Sequence, residues 1–170
     1  VDFSDGGVSG YGLDTALAVR LVRGVSPSGP RFTYSTQSYG SDATNNVVND
    51  AWTGLQWRRC EEGRTWTGST CSGTASTYTH EQALVHARDQ SGWRLPNIKE
   101  LNSLVDLSVA SGARIDATAF PGAGSYLWAS SPSLLALPGE IAWFVSFSVG
   151  VSARSFRNVT YAVRLVRASQ

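Results

Sequence analysis

The sequence contains no methionine, one lysine, two histidines and two cysteines in 170 residues. Charged side chains make up 16% of it, against the usual ~25%. No G-x-S-x-G, H-E-x-x-H or P-loop motif occurs, so no recognisable nucleophile elbow, zinc-protease helix or phosphate cradle is present. Fourteen basic residues balance 13 acidic ones, for a net charge of +1. A chain without basic excess has little to gain from counterion release, which excludes non-specific nucleic-acid binding. No apolar run approaches the ~20 residues that span a bilayer, and no segment reads as a signal peptide. No nucleic acid and no membrane insertion are therefore expected. A chain starting at Val1 reads as a mature or excised piece of a longer protein.

What is present fits a globular domain. Hydrophobic residues make up 42% of the chain, and its length suits one domain or one domain plus a fragment. A domain of this size buries roughly 68–70% of its unfolded surface and needs neither metal nor oligomer to fold. Twenty-three serines and 13 threonines stand where charges usually do, and 13 of the 14 basic residues are arginine.

Cys60 and Cys71 bracket a turn-rich loop and read as one disulfide, worth roughly 3 kcal/mol in chain entropy. The alternative is two free thiols in a reducing compartment. A zinc site is not expected, because His80 and His86 fall on different helix faces and no further cysteine completes a tetrahedron. Asp42, Asp50, Asp106 and Asp116 are scattered without a calcium-loop pattern, and Glu61-Glu62 are adjacent but alone. No cofactor is implied. The disulfide reading makes the chain an exported one.

The most informative feature is an internal repeat. Residues 1–24 align without gaps on residues 145–168, with ten identities that include the run 18–23 on 162–167. All ten lie in the flanks; the central eleven positions, 7–17 against 151–161, share none. Each copy reads as a hairpin closed by Ala-Val-Arg-Leu-Val-Arg, with the two valines expected on one side and Arg, Leu, Arg on the other. Residues 1–24 are then either the tail of a preceding tandem domain or an added hairpin. Residues 25–30 form a linker-like stretch, and the domain itself spans 31–170.

Strands are expected at Arg31–Gln37, from Val47 to Asp50, at Leu55–Arg58, Tyr126–Ser130, Ala142–Ser148 and Tyr161–Val166. Thr79 with Gln82, and Asn97 with Glu100, are capping boxes that open two helices. Their apolar stripes are Ala83, Leu84, Ala87 and Ile98, Leu101, Leu104, Val105, and Gly92 can end the first. Two short helices between strands at both ends give an α+β fold of twisted antiparallel sheets in which the terminal strands pair.

These residues carry a resemblance. The segment from Val47 to Cys60, the run Ser91-Gly92-Trp93-Arg94-Leu95-Pro96-Asn97, then Phe120-Pro121, Trp128-Ala129-Ser130-Ser131 and the closing Ala162–Arg167 resemble, in order, the C-terminal domain family of the Legionella collagen-like adhesin (Lcl). The resemblance covers roughly residues 31–168. It implies a C-type-lectin-like fold related to the formylglycine-generating-enzyme type, in exported bacterial proteins that are secreted or held at the cell surface. One branch is a trimeric adhesin tip that binds sulfated polysaccharide. A homo-oligomer, trimer included, or a tandem repeat in a longer chain is compatible with this. The collagen-like stalk is absent and residues 1–24 are extra.

Catalysis is not expected. His80, at the exposed first turn of a helix, and His86 read as solvated helix histidines. Trp57 and Trp93 read as core residues with satisfied N–H groups, Trp128 and Trp143 as core or half-buried, and Trp52 and Trp66 as loop residues. Ligand binding is assigned to Arg154, Phe156 and Arg157 in the centre of the last hairpin, with Trp143 and Tyr126 near it. Guanidinium forks suit sulfate or carboxylate, and aromatics suit a sugar face or an apolar hot spot. The expected function is an extracellular, adhesin-type module that recognises a glycan, sulfated or acidic, on another cell surface. The second reading is a protein-ligand display domain whose surface is diversified as in retroelement variable proteins; a formylglycine-generating-type enzyme ranks third.

Overall fold

The computed structural model describes residues 28–35, 43–124, 126–133 and 139–169. The repeat copy at 1–24 and the first half of the linker lie outside them. The chain runs β1 (Phe32–Ser35), β2 (Val47–Asp50), β3 (Leu55–Arg58), β4 (Thr65–Trp66), β5 (Cys71–Ser72), β6 (Thr77–Tyr78), α1 (His80–Arg88), α2 (Ile98–Asn102), β7 (Tyr126–Pro132), β8 (Ile141–Ser146), β9 (Val151–Phe156), β10 (Tyr161–Ala162) and β11 (Val166–Ala168). Two helices among three sheets make the fold α+β.

A four-stranded antiparallel sheet has the order β1-β2-β3-β11, so the first and last strands share one sheet, with β2 and β3 between them. A five-stranded sheet has the order β6-β10-β7-β8-β9. It is mixed, because β10 runs parallel to β7 and antiparallel to β6. The segment Ile141-Ala142-Trp143-Phe144-Val145 is apolar on consecutive residues because the middle of this sheet is buried on both faces. Trp143 and Val145 join Leu127 and Ala129 in one core, with Trp57 from β3 and Leu101 and Leu104 from α2 and its exit. Ala142, Phe144 and Trp128 join a second core with Ala83 and Ala87 of α1, Trp93 and Leu95.

Both helices start where the capping pattern places them. The Thr79 and Asn97 side chains accept from the backbone N–H three residues on, and Gln82 and Glu100 reach back to the cap N–H. Helix α1 stops at Arg88, before Gly92, which turns the chain afterwards at φ +74°. The 147–150 turn needs its glycine: Gly150 has φ +75°, and a Cβ there would lie 2.7 Å from Leu107 Cδ2. This glycine is one of the ten positions shared with the 1–24 copy.

The terminal strands do not pair directly, and two further expectations change. The last hairpin is β8–β9, with its turn at 147–150, so 151–156 is a strand rather than a displayed loop. The closing Ala162–Arg167 is not one strand: the chain leaves the five-stranded sheet after β10 and enters the four-stranded one at β11. Its valines lie on opposite sides rather than one, as period-two alternation requires of residues three apart: Val163 goes to the second core with Leu165, and Val166 to the first. Glu61 and Glu62 are buried, each beside a basic group. Glu62 accepts from both Arg58 and His86, and Glu61 faces Arg164 at 3.6 Å.

Cys60 and Cys71 form the disulfide, with Cα atoms 5.6 Å apart. The bridge is buried with Trp66, which sits on β4 instead of in a loop and donates its indole N–H to Thr44 O.

Candidate functional site

The edge strand β9 and the turn that follows hold three of the assigned ligand residues. Pairing with β8 alternates the side chains of β9, so Arg154 lies opposite Trp143 and Phe156 opposite Ile141 on the same sheet face. Arg154 is exposed, and its guanidinium carbon sits 5.0 Å from the centre of the Trp143 ring. Trp143 itself is buried in the first core, so it supports Arg154 from below and offers a ligand little surface. Phe156 is 56% exposed. The structure therefore joins Arg154, Trp143 and Phe156 on one face.

Tyr126 belongs elsewhere. It is exposed on the opposite face of the five-stranded sheet, in an aromatic group with Phe144 and Tyr161, at 5.9 and 5.5 Å between ring centres. Period-two alternation separates it from Trp143 even though β7 and β8 are neighbours.

Arg157 lies in the turn after β9 and is tied inward. Its Nε donates to His80 Nδ1 at 3.1 Å and its Nη1 to Gly139 O at 3.0 Å. The Thr79 cap turns the first helical residue toward the sheet, so His80 is buried rather than exposed, edge-on to Trp128. Its Nε2 bonds Ala129 O at 3.0 Å; with Nδ1 accepting from Arg157, the proton sits on Nε2 and the ring is neutral. Burial holds the His80 pKa below its ordinary value, and the Arg157 charge adds to this against the Ala129 hydrogen bond. Phe156 and Arg157 border an open cleft of about 570 Å³ with Asn158, Glu81 and Glu140. An aromatic ring, a guanidinium, an amide and two carboxylates can stack on and hydrogen-bond a polyhydroxylated ligand. The two glutamates offset the arginine, so this cleft is not strongly cationic.

Of the other tryptophans, Trp57, Trp93 and Trp128 are core residues as expected. Trp128 donates to Tyr78 O, whereas the Trp57 indole N–H finds no acceptor among the described residues. Trp52 is 60% exposed in the β2–β3 turn. It borders a second cleft, of about 720 Å³, together with residues of β1 and of the loops at Asp106 and Asp116. The sequence shows Trp52 only as a lone loop aromatic; its neighbours in this cleft come from three distant segments. Among the described residues no group of three or more His, Cys, Asp or Glu is arranged to hold a metal ion.

The family model described as the Lcl C-terminal domain matches residues 46–167, well over half of the chain. No curated protein and no solved structure matches the chain significantly.

Proposed function

The chain belongs to the Lcl C-terminal domain family, and from that premise we propose an adhesin-type, ligand-binding module with a C-type-lectin-like fold. It acts outside a bacterial cell and recognises a glycan through β9 and the turn after it. The observation that carries this reading is the exposed pair on one edge strand: Arg154, braced on Trp143, beside Phe156 at the rim of a cleft. A planar guanidinium suits a sulfate or carboxylate on the sugar, and the Phe156 ring suits a sugar face. Glu81 and Glu140 limit the cationic character to the Arg154 side. The expected salt dependence is therefore real but shallower than that of a dense heparin patch.

The test is binding of the whole chain to a glycan panel with sulfated and carboxylated members, at low and physiological salt. Arg154→Ala/Phe156→Ala is expected to abolish a salt-sensitive signal without changing the melting temperature. Unchanged binding in that variant would move the site off β9. No glycan binding by the folded chain would favour the protein-ligand reading, for which β9, six residues long and at the sheet edge among the described residues, offers a backbone to pair with.

A further inference from the structure

We infer that the cleft between β1, the β2–β3 turn and the loops at Asp106 and Asp116 is a second saccharide site. Its ligand is a neutral or amino-bearing sugar rather than a sulfated one. The inference is independent of the β9 reading, since no residue is shared between the two surfaces.

The cleft presents two exposed aromatic rings, each with a guanidinium against it. Arg31 lies 4.6 Å from the centre of the Trp52 ring, and Arg59 lies 4.0 Å from that of Tyr34. Neither cation is loose. Arg31 donates to both oxygens of Asp50, at 3.0 and 2.8 Å, and to Ser103 O. Asp50 is only 1% exposed and also accepts the Trp52 backbone N–H at 3.0 Å, so one buried carboxylate positions both the ring and its support. Arg59 is held against Trp66 on its other side, at 3.8 Å, and donates to Asn45 O and Thr118 O. With Arg31 on one face, the 60% exposure of Trp52 falls on the other face and the ring edge.

A solvent-facing tryptophan has no role in the two cores, and fixing its orientation serves stacking at low ordering cost. The volume, about 720 Å³, lies within the ~300–1,000 Å³ of ligand pockets.

The polar lining sets the ligand class. Asp106 and Asp116 each use one oxygen to cap a turn, Asp106 toward Ser108 and Asp116 toward the N–H groups of Thr118 and Ala119. The second oxygen of each accepts no hydrogen bond among the described residues. Two carboxylates with spare acceptor sites suit sugar hydroxyls or an ammonium group. The lining cation is already committed to Asp50, so sulfate meets net repulsion. Arg31, Phe32 and Tyr34 precede the span matched by the family model, residues 46–167.

Trp52 is the exposed one among six tryptophans, the others being at most 7% exposed, so quenching by a water-borne collider acts mainly on this cleft. The experiment uses the whole chain with cello-, manno- and chito-oligosaccharides, heparin and a proline-rich peptide. It reads protection of Trp52 from acrylamide quenching, and calorimetric affinity. Protection by at least one neutral or amino-sugar probe is expected, insensitive to salt for a neutral probe and weakened by salt for a cationic one. Affinity should drop roughly tenfold or more in Trp52→Ala and in Asp116→Asn, which keeps the turn-capping oxygen. Arg154→Ala/Phe156→Ala should leave it unchanged, so loss of the β9 reading and loss of this one are separate results. Protection by no sugar overturns the inference, as does protection by heparin alone or by the peptide alone. Equal affinity in Trp52→Ala, Asp116→Asn and the parent chain also overturns it.

Discussion

Arg164 is a charged residue placed at the centre of the molecule, 1% exposed. Its guanidinium donates to the carbonyls of Arg58 and Arg59, faces Glu61 at 3.6 Å and lies 4.7 Å from the Phe120 ring centre. Removing one partner of a buried pair strands the other, at a cost of about 3–5 kcal/mol. Urea unfolding of Arg164→Met should show a loss of that order, and adding Glu61→Gln should recover part of it by removing the stranded charge. His80 gives a prediction in pH. Its folded pKa lies below the ordinary 6.5, so the unfolded chain binds the proton more readily. The stability this buried neutral ring contributes is complete above pH 6.5 and is lost as pH falls from there through the folded value. Melting temperatures recorded from about pH 7.5 down to pH 5 should therefore fall more steeply for the parent chain than for His80→Gln. A sequence shows that His80 begins a helix. It does not show which way the cap aims it, because that depends on Trp128 and Ala129, some fifty residues away.

At the level of elements, the helices were legible and the last hairpin was not. Capping boxes are local chemistry, complete within four residues, and both appear where Thr79-x-x-Gln82 and Asn97-x-x-Glu100 place them. Thr79→Ala should cost about 1 kcal/mol in chemical denaturation, in line with other lost N-caps. The Ala162–Arg167 segment reads as one strand because its apolar residues have no turn signal among them. Its change of sheet is set by contacts with β7 and β3, which no local pattern encodes. The same applies to the residues assigned to ligand binding. Alternation along β9 puts Arg154 and Phe156 on one sheet face, while Tyr126 falls on the far face. The Trp52 cleft was almost invisible, since it assembles β1, a turn and two loops. The disulfide was legible from its spacing. Reducing it, or making Cys60→Ser/Cys71→Ser, should lower stability by about 3 kcal/mol, and a thiol assay on the native chain should find none free.

For the whole molecule, two cores lie on either side of one central sheet among the described residues. If residues 1–24 are the tail of a neighbouring repeat, their deletion should leave a single cooperative unfolding transition at the same denaturant midpoint. A lower midpoint would assign them to this fold. The crossing segment after β10 has a consequence in time. Ala162 is the link between β6 and β7, and Val166–Ala168 supplies the edge partner of β3, so both sheets wait for the last few residues of the domain. On the ribosome, the five-stranded sheet lacks its final partner until residue 162 is made and the four-stranded sheet until residue 168, and the long-range pairing that follows is of the slow kind. A nascent chain stays open until translation has passed the whole domain, and a premature stop anywhere before Val166 yields a substrate for proteases instead of a shorter binding module.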